Sequence, residues 1–279
     1  MTLALAGGLL ELRFEAGVGE RTVLSERSQR FPLRTTVPLY LDPGAPDLAF
    51  VYVQNPTGGT FAGDSLVTRI RAGASARVHV TTPAATKVYR GDGGAARQLV
   101  EIEIGVGGYV EYVPELLIPH TGSRLDQRLE IVLGSGAAFV GIDALAPGRL
   151  ASGETFAYER VRLATVVRDG AGLELCADTM ELEPARRSPT CRGLLGAFSY
   201  AGSVVVAAER ANAEFAASLD AVLGAVPHVL GAAGPLPNGA GAYARVLTNS
   251  SKALRTALDT AWRVARVALI GVAPPPRRK

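Results

Sequence analysis

Val100-Glu101-Ile102-Glu103-Ile104 alternates apolar and charged residues without a break. One row of side chains must therefore face a core while the other faces water. The same period recurs in Leu10-Glu11-Leu12-Arg13-Phe14-Glu15, in Val67-Thr68-Arg69-Ile70 and in Ala76-Arg77-Val78-His79-Val80. Turn residues separate such runs: Asp42-Pro43-Gly44, Ala72-Gly73, Gly91-Asp92-Gly93-Gly94 and Gly107-Gly108. Residues 160–167 and 173–177 flank Asp169-Gly170, a pair that tolerates the positive φ of a tight hairpin. Strands this close leave no room for helical crossovers. They predict a mainly β fold of two packed, largely antiparallel sheets.

The pattern changes after residue 208. Residues 211–224 are Ala-rich, with Phe215, Leu219, Val222 and Leu223 at helical spacing. Ser250 or Ser251 can cap a second helix over residues 252–270. Its apolar stripe is Leu254, Leu258, Ala261, Ala265 and Leu269, with Arg255, Asp259, Arg263 and Arg266 elsewhere on the wheel. Residues 231–241, rich in Gly and Ala, read as a flexible link. The expected organisation is a β-sheet body (1–208), a helical C-terminal segment (209–273) and a basic tail (274–279), with no internal repeat.

Composition narrows the function classes. The chain has 279 residues, 48% hydrophobic and 20% charged, which excludes intrinsic disorder and supports a sizeable core. No apolar run reaches the roughly 18 residues of a membrane span. The apolar residues 1–8 lack the basic start of a signal peptide, so a cytoplasmic protein is expected. Cys176 and Cys191 cannot build a disulfide framework and read as free thiols of a reducing compartment. A net charge of +3 resides partly in Arg186-Arg187 and Arg277-Arg278-Lys279, read as solvated ends without nucleic-acid binding.

Enzymatic signatures are absent. There is no P-loop, no G-x-S-x-G elbow, no H-E-x-x-H and no C-x-x-C. Gly105-Val106-Gly107 opens like a dinucleotide fingerprint, but Val110 stands where the third Gly belongs. His79 reads as a residue on the polar face of a strand and His120 as a loop residue after Pro119. His228, after Pro227, reads as lying near the helical part.

Four segments stand out: Asn55-Pro56-Thr57-Gly58-Gly59-Thr60-Phe61-Ala62-Gly63-Asp64, Thr81-Thr82-Pro83-Ala84-Ala85-Thr86-Lys87-Val88-Tyr89-Arg90, Glu111-Tyr112-Val113-Pro114-Glu115-Leu116-Leu117-Ile118-Pro119 and Gly148-Arg149-Leu150-Ala151-Ser152-Gly153-Glu154. The first reads as a constrained turn that Asp64 caps. Small residues in the second permit a close approach of another backbone or of a partner. The third is a strand closed by prolines and carrying two carboxylates. The fourth follows a strand that holds Asp143.

In this order the four segments resemble the urease accessory protein family UreD, also called UreH. The resemblance spans residues 9–183; the C-terminal end matches only in position and character. It implies a non-catalytic chaperone of urease maturation that binds the urease apoprotein and UreF, which recruits the GTPase UreG. The missing P-loop agrees, since nucleotide hydrolysis then belongs to the partner. It further implies nickel insertion through a tunnel between the sheets, with no tightly bound cofactor and nickel only in transit. Transit needs weak, exchangeable oxygen ligands. The relay candidates are Asp143 and Glu154 first, then Asp64, Glu111 and Glu115, each with a structural ion pair or turn anchor as its alternative. Lys87, Tyr89 and Arg90 are candidate partner contacts. Leu254, Leu258 and Trp262 are candidates for docking UreF, with core packing as the alternative. Two other readings stay open: a hydrolase with a triad assembled around His120, and a generic β-sandwich binding module.

Overall fold

Each alternating run becomes a strand in the computed structural model, which describes residues 7–17, 19 and 21–276. Residues 1–6 and Arg277-Arg278-Lys279 of the expected tail lie outside the described residues. In chain order the strands are β1 (Gly8–Ala16), β2 (Thr22–Arg30), β3 (Arg34–Thr35), β4 (Ala49–Gln54), β5 (Ser65–Ala72), β6 (Arg77–Thr81), β7 (Thr86–Val88), β8 (Ala96–Ile104) and β9 (Tyr109–Tyr112). They continue with β10 (Leu117–Pro119), β11 (Arg124–Leu133), β12 (Ala138–Leu145), β13 (Arg160–Asp169), β14 (Glu174–Leu182), β15 (Tyr200–Ala207), β16 (Val229–Pro235) and β17 (Gly241–Thr248). Helix α1 (Ala213–Gly224) precedes β16, and helix α2 (Ser251–Ile270) follows β17.

Among the described residues these strands form two sheets. One runs β14-β13-β11-β8-β5-β1-β2; the other runs β16-β17-β15-β12-β9-β6-β4-β3, with β10 beside β12 and β7 beside β10. The mainly β class, the two packed layers and the C-terminal helix agree with the sequence. The pairing does not. In the centre of both sheets it is parallel: β1, β5, β8, β11 and β13 in one, β4, β6, β9 and β12 in the other. Antiparallel pairs are confined to the margins: β1 with β2, β13 with β14, β3 with β4, and the run β12-β15-β17-β16. The crossover between parallel neighbours is a strand of the facing sheet, not a helix. The chain leaves β5 for β6 opposite, returns to β8, crosses to β9 and returns to β11, winding as a flattened coil.

Its corners stack on glycine. Gly105 N donates to the Ala72 carbonyl and Gly134 N to the Ile104 carbonyl, both at 2.7 Å. A Cβ on Gly134 would come within 2.9 Å of the Gly105 backbone, so successive coils could not close up.

The C-terminal segment departs from expectation as well. Residues 231–241 are no flexible link: residues 231–235 belong to β16, which pairs with β17 in the ten-stranded sheet, and Pro237–Gly239 make a single helical turn before β17 begins at Gly241. Small residues let α1 lie on this strand, since a Cβ on Gly231 would stand 3.0 Å from the Leu223 Cβ. Helix α2 is capped by the Ser250 hydroxyl, which accepts from Ala253 N, and ends at Gly271 with φ 76°. It lies on the outer face of the ten-stranded sheet. Leu254, Leu258 and Trp262 are 2%, 3% and 2% exposed, in one apolar cluster with Ile142, Val204 and Val246. The UreF-docking assignment of these three residues is therefore corrected: they are core. Gly202 leaves the space, because a Cβ there would press within 3.0 Å of both leucines.

Candidate functional site

Period two in a strand buried on both faces sends alternate residues to different cores. On β12, Ile142 faces α2 while Asp143 faces the gap between the sheets. Across that gap the apolar filling is divided into two clusters, one around Ile102, Leu129 and Val205, the other around Leu125, Leu145 and Val161. Polar residues occupy the rows between them. In the seven-stranded sheet the row Thr68, Val100, Leu129, Thr165, Asp178 lies beside Leu66, Gln98, Gln127, Leu163, Met180. In the facing sheet Asp143, Ser203 and Arg245 stand in register on β12, β15 and β17.

These groups meet across the gap. Gln127 Nε2 donates to Asp143 Oδ1 at 3.2 Å. Tyr243 Oη donates to Asp178 Oδ2 at 2.8 Å, and Arg245 Nη2 reaches both Asp178 oxygens at 2.9 and 3.0 Å. A cavity of about 380 Å³ fills the β4–β13 side of this band, with Thr68, Gln98, Gln127, Asp143 and Glu115 in its wall. The partial exposure of Asp143 is to this cavity. Its carboxyl is pushed up to about 6, first by burial and then by the charge of Asp178; Arg245, Thr165 and Gln127 oppose the rise.

At one end the cavity reaches the loops. There the four conspicuous segments converge, although their first and last residues lie about a hundred positions apart. Thr60 N donates to the Lys87 carbonyl and Tyr89 N to the Thr60 carbonyl, both at 2.8 Å. The rings of Phe61 and Tyr89 stack at 4.8 Å, and His120 meets Tyr89 edge-on at 4.5 Å. Glu154 pairs with Arg149 and accepts from Thr121 N at 3.3 Å, tying the fourth segment to the His120 loop. Lys87 and Arg90 are exposed here and Tyr89 is half-buried. Lys87 lines the mouth together with Asn55, Gly59 and Thr60.

The five relay candidates do not form one group. Asp143 and Glu115 border the cavity, but Glu115 is paired with Arg255 of α2. Asp64 accepts from Phe61 N at 2.8 Å and caps its own loop. The Glu154 carboxyl is held down at about 2 by its hydrogen bond from Arg149. Glu111 faces away from the cavity, beneath α2, where it is fully buried. His79 Nδ1 lies 2.7 Å from Glu111 Oε2, Arg266 Nε lies 3.6 Å from Oε1, and the Tyr109 hydroxyl donates to the same carboxylate. Burial opposes ionisation of Glu111, yet the His79, Arg266 and Tyr109 contacts outweigh it and hold its carboxyl below the ordinary range. Arg266 is itself fully buried and pairs with Asp42. His79, read as a residue on the polar face of a strand, and Arg266, placed off the apolar stripe of its helix, are thus both interior. Among the described residues no three His, Cys, Asp or Glu side chains are grouped as metal ligands.

Gln98, Gln127, Thr165, Asp178, Tyr243 and Arg245 were missed. For the first four the signal was present: each interrupts the apolar row of its strand, as Gln127 does between Leu125 and Leu129 and Thr165 does between Leu163 and Val167. Tyr243 and Arg245 instead lie on the row of β17 opposite its apolar residues Ala242, Ala244 and Val246.

Residues 6–279 match the family described as UreD urease accessory protein. This chain belongs to the UreD family. Urease accessory protein UreD 2 of Streptomyces griseus is 37% identical over 279 residues, covering 98% of this chain and 93% of that one. The UreD of Haloarcula marismortui is 36% identical over 273 residues, covering 98% and 90%. That of Cenarchaeum symbiosum is 32% identical over 264 residues, covering 94% and 92%. UreD membership therefore extends through the C-terminal segment, beyond the stretch that carries the four motifs.

Proposed function

We propose that this chain is a non-catalytic maturation factor of urease, and that nickel passes in transit along the polar band between its sheets. The observation that supports this best is the band itself. A sandwich needs no row of Gln, Thr, Asp and Ser through its middle, and burying such groups costs free energy unless they serve one another or a passing ligand. Nickel is a borderline acid that carboxylate, carbonyl and water oxygens hold and release. Asp143, pushed up to about 6, is already largely ionised at neutral pH, and it offers its charge to a cation and gives the cation up without a closed cage.

The partners are the urease apoprotein and UreF, with UreG reached through UreF. Lys87, Tyr89 and Arg90, beside the mouth, serve as partner contacts. No helix among the described residues is long and apolar enough to cross a membrane. Free Cys176 and Cys191 support a cytoplasmic setting, where thiols stay reduced.

The test is co-expression of urease with its accessory proteins in nickel, with and without this chain. Urease lacking it should be nickel-poor and inactive. Equal activity and equal nickel content in the two preparations would remove the maturation role.

A further inference from the structure

The cavity opens at the loop end, but the polar band continues past it to the opposite edge of the sandwich. There β14 closes one sheet and β17 is the penultimate strand of the other. Asp178 and Tyr243 face the band on their inner side. On their outer side they line a surface recess of about 390 Å³ that also holds Glu174 and Cys176. Between recess and cavity stands one assembly. Arg245 bridges from β17 to both oxygens of Asp178 on β14, Tyr243 donates to the same carboxylate, and the Arg245 guanidinium lies 5.4 Å from the Tyr243 ring. Arg245 sits in register with Ser203 and Asp143, so its charge occupies the line that a cation leaving Asp143 would follow.

Resting on the conduit reading above, we propose that the Arg245–Asp178 pair is the gate of a second opening of the band. While Arg245 holds Asp178, the guanidinium excludes a divalent cation both by its volume and by its charge. When it leaves, Asp178 becomes an oxygen ligand on the way from Asp143 to the recess. The pair is suited to this role, since its two side chains are each about one-third exposed (32% and 27%). An ion pair in contact with water opens at low cost, unlike one sealed in a core. It also joins two sheets through side chains alone, so opening it breaks no backbone ladder.

The experiment uses the purified full chain loaded with Ni²⁺ and mixed with excess chromogenic chelator, following release by absorbance. Arg245→Met should release Ni²⁺ about tenfold faster than wild type, equivalent to about 1.4 kcal/mol off the barrier. Arg245→Lys, which keeps a cation in the same place, should stay near wild type. Asp178→Asn, which removes the anchor instead, should also release faster and guards against misfolding of the methionine variant. Asp143→Asn tests the underlying reading, and thermal melts of each protein exclude global loosening. Asp143-dependent release at the wild-type rate in both Arg245→Met and Asp178→Asn overturns the gate alone. Release independent of Asp143 in every protein overturns the conduit and the gate together.

Discussion

Glu111 and Asp143 lie on neighbouring strands of one sheet, both shielded from bulk water, and they face opposite sides. Glu111 points under α2 into a set of compensating groups: His79, Tyr109 and Arg266 surround it, and Arg266 in turn holds Asp42. Asp143 points between the sheets toward Gln127, Thr165 and a cavity, and among the described residues it makes no ion pair. The first carboxyl is held below its ordinary range, the second pushed up to about 6. Burial alone therefore does not mark a functional carboxylate. A carboxylate kept for a passing ligand should instead carry an ionised form that the protein's own groups leave unsatisfied.

The contrast breaks most visibly at Arg266. Arg266→Met leaves Glu111 and Asp42 buried without their cation, and removing one partner of such a network costs about 3–5 kcal/mol. Urea unfolding should show that loss with an unchanged m-value. A loss below about 1 kcal/mol would mean that water reaches the face under α2 and that the two sides do not differ. Next in size is Leu258→Ala on the same face, where a deleted core leucine costs about 2–5 kcal/mol. Unchanged stability together with lost UreF binding would restore the docking assignment that its burial removes.

On the inner face the sign reverses. The Asp143 carboxyl has a folded value of about 6 against an ordinary 3.8, so the folded state binds this proton more tightly than the unfolded state does. Its neutral form is the favoured one, and stability falls as pH rises from about 4 to about 6, staying low above that. With the cavity providing some hydration, the penalty at pH 7 is about 2 kcal/mol. Asp143→Asn should therefore be more stable than wild type at pH 7 by about that amount and equal to it near pH 3.5. Nickel delivery to urease should nevertheless fall. A variant less stable than wild type at pH 7 would place Asp143 with Glu111 among structural carboxylates.

How much of this could be read from residues varies with the range of the cause. Alternation in β1, β5, β6 and β8 is local, and those strands appear where the runs are. Parallel pairing is not local. An alternating strand looks the same whether its neighbour in the sheet follows by a hairpin or after a strand of the facing sheet, so the coil was invisible. Residues 231–241 misled because small side chains signal flexibility in isolation, whereas here α1 requires them. Of the site, Asp143 was legible through the motif that follows it. The network of Glu111 was not, because His79 and Arg266 lie 32 and 155 positions away from it. Nothing in a single helix wheel tells a solvated arginine from one that meets a carboxylate across a core.

Gln98 gives the smallest expected effect on stability and the finest test of the comparison. Its Nε2 donates to Thr60 Oγ1 at 2.7 Å at the cavity mouth, and Thr60 is 1% exposed. Gln98→Leu removes that bond and leaves one buried hydroxyl to find another partner, which costs about 1 kcal/mol. The added apolar contact with Leu66, its neighbour in register, offsets part of this. On the outer face a change of that size would have no further consequence. On the inner face it joins the two apolar clusters across the mouth, so Ni²⁺ uptake by the purified chain should slow severalfold while unfolding in urea hardly moves. Slowed uptake with near-native stability separates a polar row kept for passage from one kept for cohesion. Uptake at the wild-type rate would mean that the mouth lies elsewhere in the loop cluster.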